Sequence, residues 1–172
     1  VTGKDSSFLL FAIWAMDNKE KPEARYIGQI WLAINYYSNL LSLPCVLTGD
    51  FNSNKIWDEK ERVGNHSDMV GFLEKENIFS LYHKQEKIEQ GKEIHPTFHM
   101  YRKTEKPYHI DYFFASDLII KNGFEIKAAL VPTKKRDKIT FKIILTNGDT
   151  LSYLNFYHCK DFLSKEQMEF KN

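Results

Sequence analysis

Leu47-Thr48-Gly49-Asp50-Phe51-Asn52-Ser53 sets a carboxylate and a carboxamide two residues apart, directly after an apolar run. Side chains alternate along an extended chain, so Asp50 and Asn52 point one way while Phe51 turns back toward a core. Both polar groups offer oxygen to a hard divalent cation or to a water that must be aligned. Val46 and Leu47, after Pro44 and Cys45, read as a short buried strand, and Gly49 lets the backbone leave it without a Cβ clash. The pair would then sit at a strand's C-terminal end, where open α/β sheets place their ligands. Gly-Asp-x-Asn is also an ordinary turn sequence, because Asp and Asn bond their own backbone and Gly takes positive φ.

A second stretch, 108–116, is rich in aromatic and β-branched residues and reads as a strand. It puts His109, Asp111 and Phe113 on one face and Ile110, Tyr112 and Phe114 on the other. An Asp inside an apolar strand is costly unless a donor, a cation or a metal satisfies it, and buried structural carboxylates fit the same description. Trp57 lies in a polar segment, 53–64, read as a loop over the active face, where it stacks on a ligand or simply packs. His66 is near enough in sequence to Asp50 to touch a phosphate, and Asn65 or Ser67 beside it can cap a helix over 68–75.

In this order, Gly49-Asp50-Phe51-Asn52 and Ile110-Asp111-Tyr112 resemble signature elements of the endonuclease/exonuclease/phosphatase superfamily, which includes deoxyribonuclease I, apurinic endonucleases, sphingomyelinases and inositol polyphosphate phosphatases. Ile56-Trp57-Asp58, Gly64-Asn65-His66-Ser67, Gln90-Gly91-Lys92-Glu93 and Pro96-Thr97-Phe98 look like a bacterial branch of it with no well-defined substrate. The likeness spans 8–131, the second half of that superfamily's domain.

The resemblance implies a mixed-sheet α/β sandwich of the deoxyribonuclease I-like type, incomplete in this sequence, and a divalent-metal-dependent phosphodiester hydrolase using Mg²⁺ or Mn²⁺. It implies that Asp50 aligns or deprotonates water, that Asn52 holds phosphate or a metal-bound water, and that Asp50 and Asn52 are the metal ligands. Asp111 would orient a catalytic His, and His66, His109 and Trp57 would meet the substrate, a phosphodiester of nucleic-acid, phospholipid or nucleotide type. The superfamily's early metal-binding Glu has no counterpart here, and no Ser-Asp-His tripeptide occurs. His109 lies only two residues from Asp111, and His158 with Asp161 is a remote substitute. These departures keep a second reading open, a catalytically silent remnant or a phosphate- or partner-binding module of the same fold.

The 172 residues suit one domain with a sizeable core. The 24 Lys and Arg against 23 Asp and Glu leave a net charge of +1, so no global field advertises nucleic acid. Cys45 and Cys159 form no disulfide framework or zinc spacing, which fits a cytoplasmic setting. The apolar run 8–16 follows Asp5 and is closed by Asp17, which makes it a buried strand rather than a signal segment, and no membrane span is expected. The sequence opens on Val1 rather than Met, which fits a fragment, a processed product or an incomplete gene model.

Periodicity predicts a helix within 24–42 between strands at 8–14 and 45–47, a βαβ unit with Trp14 as a core residue or a wall of the cleft. It predicts a half-buried strand over 78–82, a charged loop over 84–95, and an antiparallel pair formed by 97–101 and 109–115. Ser116 opens a short helix, and 124–131 forms one more strand. The segment 132–172 is an unmatched tail: a basic linker at 134–138, strands 139–145 and 150–157 flanking Asn147-Gly148, and a helix start at Ser164. That hairpin offers an edge strand, so an interaction domain is a further reading.

Overall fold

The computed structural model describes residues 7–103 and 105–121, together with the backbone of 124–132, 137–145 and 150–154; side chains are described up to Lys121, except at Arg102. Its centre is a four-stranded mixed sheet in the spatial order β1 (Leu9–Trp14), β2 (Cys45–Asp50), β6 (Asp111–Ser116), β3 (Ile78–Ser80). Strand β1 (Leu9–Trp14) leads through α1 (Ile27–Tyr36) to β2 (Cys45–Asp50), and the two strands run parallel in register Leu9↔Cys45 to Trp14↔Asp50. The expected β-α-β succession is therefore present, with its helix confined to the part of 24–42 where Ile27, Ile30 and Ile34 face inward.

Alternation sorts the sheet's side chains onto two faces. Leu9, Phe11 and Ile13 join Cys45, Leu47, Tyr112 and Phe114 in the main core beneath α1 and α2 (His66–Lys75). The other face carries Leu10 and Trp14 from β1, at 40% and 55% exposure, with Val46 and Phe113 buried in a second apolar cluster. Trp14 is thus neither a core residue nor enclosed.

Asn65 caps α2, whose first residue is His66, through a reciprocal box with Asp68. The strand expected over 78–82 ends early. β3 (Ile78–Ser80) pairs antiparallel with β6 (Asp111–Ser116), and the chain then coils into α3 (Leu81–Glu86). Leu81 and Tyr82 are both buried, which the expected half-buried strand would not allow.

The expected pairing of 97–101 with 109–115 is also corrected. β4 (Phe98–His99) pairs with β5 (Pro107–Tyr108), while β6 joins the central sheet between β2 and β3. Pro107 has no N–H to extend a ladder, and Tyr101 takes a left-handed φ of 55°, so this hairpin stays short. Ser116 precedes α4 (Asp117–Ile120), but its hydroxyl accepts a bond from Cys45 N, 3.1 Å away, instead of capping the helix.

Strands β7 (Phe124–Pro132), β8 (Asp137–Leu145) and β9 (Thr150–Leu154) form an antiparallel three-stranded sheet. β8 and β9 pair on either side of Asn147-Gly148, with Ile144 opposite Thr150. The turn itself, most of the basic linker, and the helix start at Ser164 lie outside the described residues.

Candidate functional site

Gly49 is held where only glycine fits. Its φ is +142°, and a Cβ there would lie 1.9 Å from the Ile13 carbonyl oxygen of the neighbouring strand. That close approach brings the ends of β1 and β2 together and delivers Asp50 to the sheet's end. Phe51 then drops into the core, fully buried, with its ring 5.4 Å from Tyr112 and 5.6 Å from Phe114. Backbone bonds lock the element from both sides, Ala15 N to Asp50 O at 2.8 Å and Phe51 N to Ile110 O at 2.9 Å.

Asn52 adopts a left-handed φ of 45°, which turns its amide back onto Asp50. Asn52 N donates to Asp50 Oδ1 at 2.9 Å, and Asn52 Nδ2 donates to Asp50 Oδ2 at 3.0 Å and to Ala15 O at 2.8 Å. The two residues predicted to act together are in direct contact. Both amide hydrogens of Asn52 are thereby used, leaving Oδ1 as its acceptor. Burial pushes the Asp50 carboxyl up to about 6, and the two bonds from Asn52 only partly offset it.

Asp111 stands directly opposite Asp50 in the β2–β6 ladder, and Trp14 stands opposite Asp50 on β1. Register partners share a face, so Trp14, Asp50 and Asp111 form one row across the end of three strands. Asp111 is 3% exposed, and its backbone N–H donates to Thr97 Oγ1 at 3.2 Å. On the same face Thr48 Oγ1 is buried without a hydrogen bond among the described residues.

The other predicted residues divide. Trp57 is 41% exposed and tilts against Tyr108 with ring centroids 4.9 Å apart, a surface aromatic pair. His66 is fully buried in the first turn of α2, its Nδ1 3.2 Å from Ser53 Oγ and its Nε2 3.2 Å from Gln90 Oε1. The phosphate contact expected of it therefore has no open ring edge to use. His109 lies just before β6, 5% exposed, with Nδ1 donating to His95 O at 2.7 Å and Nε2 buried without a partner among the described residues. Burial pushes both rings down to about 4, so both are neutral.

Behind the row lies a buried polar network centred on Glu93, in the segment expected to be a charged loop. Glu93 Oε1 accepts from His83 Nε2 and Gly91 N, each at 3.0 Å, and Oε2 accepts from Asn54 Nδ2 at 3.1 Å. Asn54 Nδ2 also reaches His109 O at 2.9 Å and Tyr112 Oη at 3.0 Å. Burial would raise the Glu93 carboxyl, yet these donors outweigh it and hold the group at about 2. Asn54 and Glu93 were legible only as polar residues near a motif, since the segment that folds Glu93 inward carries no periodic signal.

Among the described residues no group of three or more His, Cys, Asp or Glu side chains is arranged to hold a metal, and no helix is long and apolar enough to cross a membrane. Comparison with protein-family models, with characterised proteins and with solved structures gave no match.

Proposed function

We propose that the chain is a divalent-metal-dependent phosphodiester hydrolase of the endonuclease/exonuclease/phosphatase type, with its reaction centre at Asp50, its neighbour Asn52 and Asp111 across the ladder. The observation that carries this reading is Asp50 itself. It is a carboxylate placed opposite a second carboxylate, drawn into the protein, and given too few donors to offset its burial.

The donor set suits a hard, water-rich cation. Mg²⁺ binds through one or two carboxylates and keeps several waters, so it needs no closed cage of three side chains. Asp50 and Asn52 Oδ1 would hold it, with Asp111 close by. When bound, such an ion supplies charge neutralisation at the phosphoryl oxygens. Asp50, with its proton affinity raised toward neutrality, is suited to orient the attacking water and accept its proton. Asn52 is fixed by Ala15 O and Asp50, so it contributes a preorganised dipole. Trp14 and Trp57 are exposed aromatic surfaces for the rest of the substrate. Identical phosphate chemistry serves DNA, RNA, phospholipid and nucleotide substrates.

The test is hydrolysis of bis-p-nitrophenyl phosphate with Mg²⁺ or Mn²⁺ by the native protein, Asp50→Asn and Asp111→Asn. Metal-dependent turnover that falls by about 10²-fold or more in Asp50→Asn supports the reading. A folded native protein without turnover hands the site to the alternative, a phosphate-binding module of the same architecture.

A further inference from the structure

Beside β3, an outer strand of the sheet, lies a cleft of 540 Å³ whose lining includes Ser80, His83, Gln90, Lys55 and Lys84. Ser80 ends β3, opposite Phe114 in the ladder, so it shares the core-side face with Phe114 and stands across the sheet from Asp50. Its hydroxyl lies 2.7 Å from His83 Nδ1, and His83 Nε2 lies 3.0 Å from Glu93 Oε1. Gln90 Nε2, an obligate donor, also reaches His83 Nδ1 at 3.2 Å. Nδ1 is therefore the acceptor nitrogen, and the ring proton sits on Nε2, facing Glu93. Glu93 is in turn fixed by Gly91 N and Asn54.

A hydroxyl, a base that accepts from it and a carboxylate that orients the base are the parts of a serine nucleophile, recognised by roles rather than by chain position. The ring is used in the reverse sense of the Ser-His-Asp template, with Nδ1 toward the hydroxyl. We propose that Ser80, His83 and Glu93 form a second hydrolytic centre, acting on small acyl esters that enter this cleft. Val70, Phe79 and Ile88 give it an apolar side for the acyl chain, and Lys55 and Lys84 are balanced in the lining by Glu74 and Glu89, which suits an uncharged ester.

Ser80 Oγ attacks the ester carbonyl carbon as its proton passes to His83 Nδ1. The tetrahedral adduct collapses, the bond to the leaving alcohol breaks, and that alcohol takes the proton from Nδ1. Water then attacks the acyl-Ser80 carbon, gives a proton to Nδ1, and releases the carboxylic acid as the proton returns to Ser80 Oγ. Glu93 is a positioning residue that compensates the imidazolium formed in both halves.

The test uses the full chain in metal-free buffer, with a fluorophosphonate probe followed by peptide mass mapping and with p-nitrophenyl butyrate as substrate. Expected are an adduct on Ser80, its loss in Ser80→Ala, and at least about 100-fold slower labelling in His83→Gln. Glu93→Gln should shift the pH dependence of labelling, which a packing role alone would not do. Ser80→Cys provides a second check, since the thiol should react rapidly with iodoacetamide while His83 is present. No adduct on Ser80 in folded protein, or labelling indifferent to His83→Gln, overturns the proposal.

Discussion

Asp50 and Glu93 are both acids drawn into the protein, and burial raises the proton affinity of each, yet one is held at about 6 and the other at about 2. Donors make the difference. Glu93 has three from three separate groups, His83, Gly91 N and Asn54, whereas both bonds to Asp50 come from the single residue Asn52. Glu93 is a settled anion that organises its surroundings. Among the described residues, Asp50 is an acid with no cationic partner, opposite another carboxylate and on the same face as a Thr48 hydroxyl that has no hydrogen bond there. On the reading proposed above, the acid left short of donors is the one that takes the ligand.

The largest effect should come from removing the settled acid. Glu93→Ala strands His83 and Asn54 and should cost about 3–5 kcal/mol in urea unfolding; a loss under about 1 kcal/mol would show that the network is not built around Glu93. Gly49→Ala should cost about 2–3 kcal/mol by driving a Cβ into the Ile13 carbonyl, and should cut phosphodiester turnover by misplacing Asp50.

The pH dependence of the two acids runs in opposite directions. Asp50 is raised in the fold, so its contribution is present below its unfolded value and is lost as pH climbs through about 6. Glu93 is depressed, so its contribution is present above its unfolded value and is lost as pH falls toward about 2. Between about pH 4 and about pH 7.5, metal-free Asp50→Asn should therefore gain about 1–3 kcal/mol relative to the native protein. A gap that stays constant across that window removes the contrast. The smallest effect is expected at the rim, where Trp57→Ala should cost about 0.5–1 kcal/mol of stability and raise KM a few-fold without changing kcat.

Local, repetitive signals made the Asp50 side readable from sequence. An apolar run and a Gly at a close approach marked where β2 ends, and the turn reading of Gly-Asp-x-Asn accounts for the bond from Asn52 N to Asp50 Oδ1; the extended alternation expected through Asn52 stops at Asp50, because Asn52 takes a left-handed φ of 45°. Ile27, Ile30 and Ile34 likewise marked α1. The Glu93 side was not readable, because its partners Asn54, His83 and Gly91 converge from three separate segments, none of them periodic. Ser80 misled for a related reason: Ile78 to Tyr82 alternates like a strand, but Leu81 and Tyr82 are buried through a helical turn. The opposition of Asp50 and Asp111 is a matter of register, which residue patterns on two distant strands do not fix.

The decisive experiment on Asp50 is an NMR titration of its side-chain carboxyl, without metal and with Mg²⁺. The expected midpoint is raised to about 6 in the metal-free protein and falls by about one unit or more when Mg²⁺ is added, because a cation favours the charged form. A midpoint near the ordinary aspartate value of about 3.9, or one that Mg²⁺ leaves unmoved, would contradict a metal-binding role for this acid.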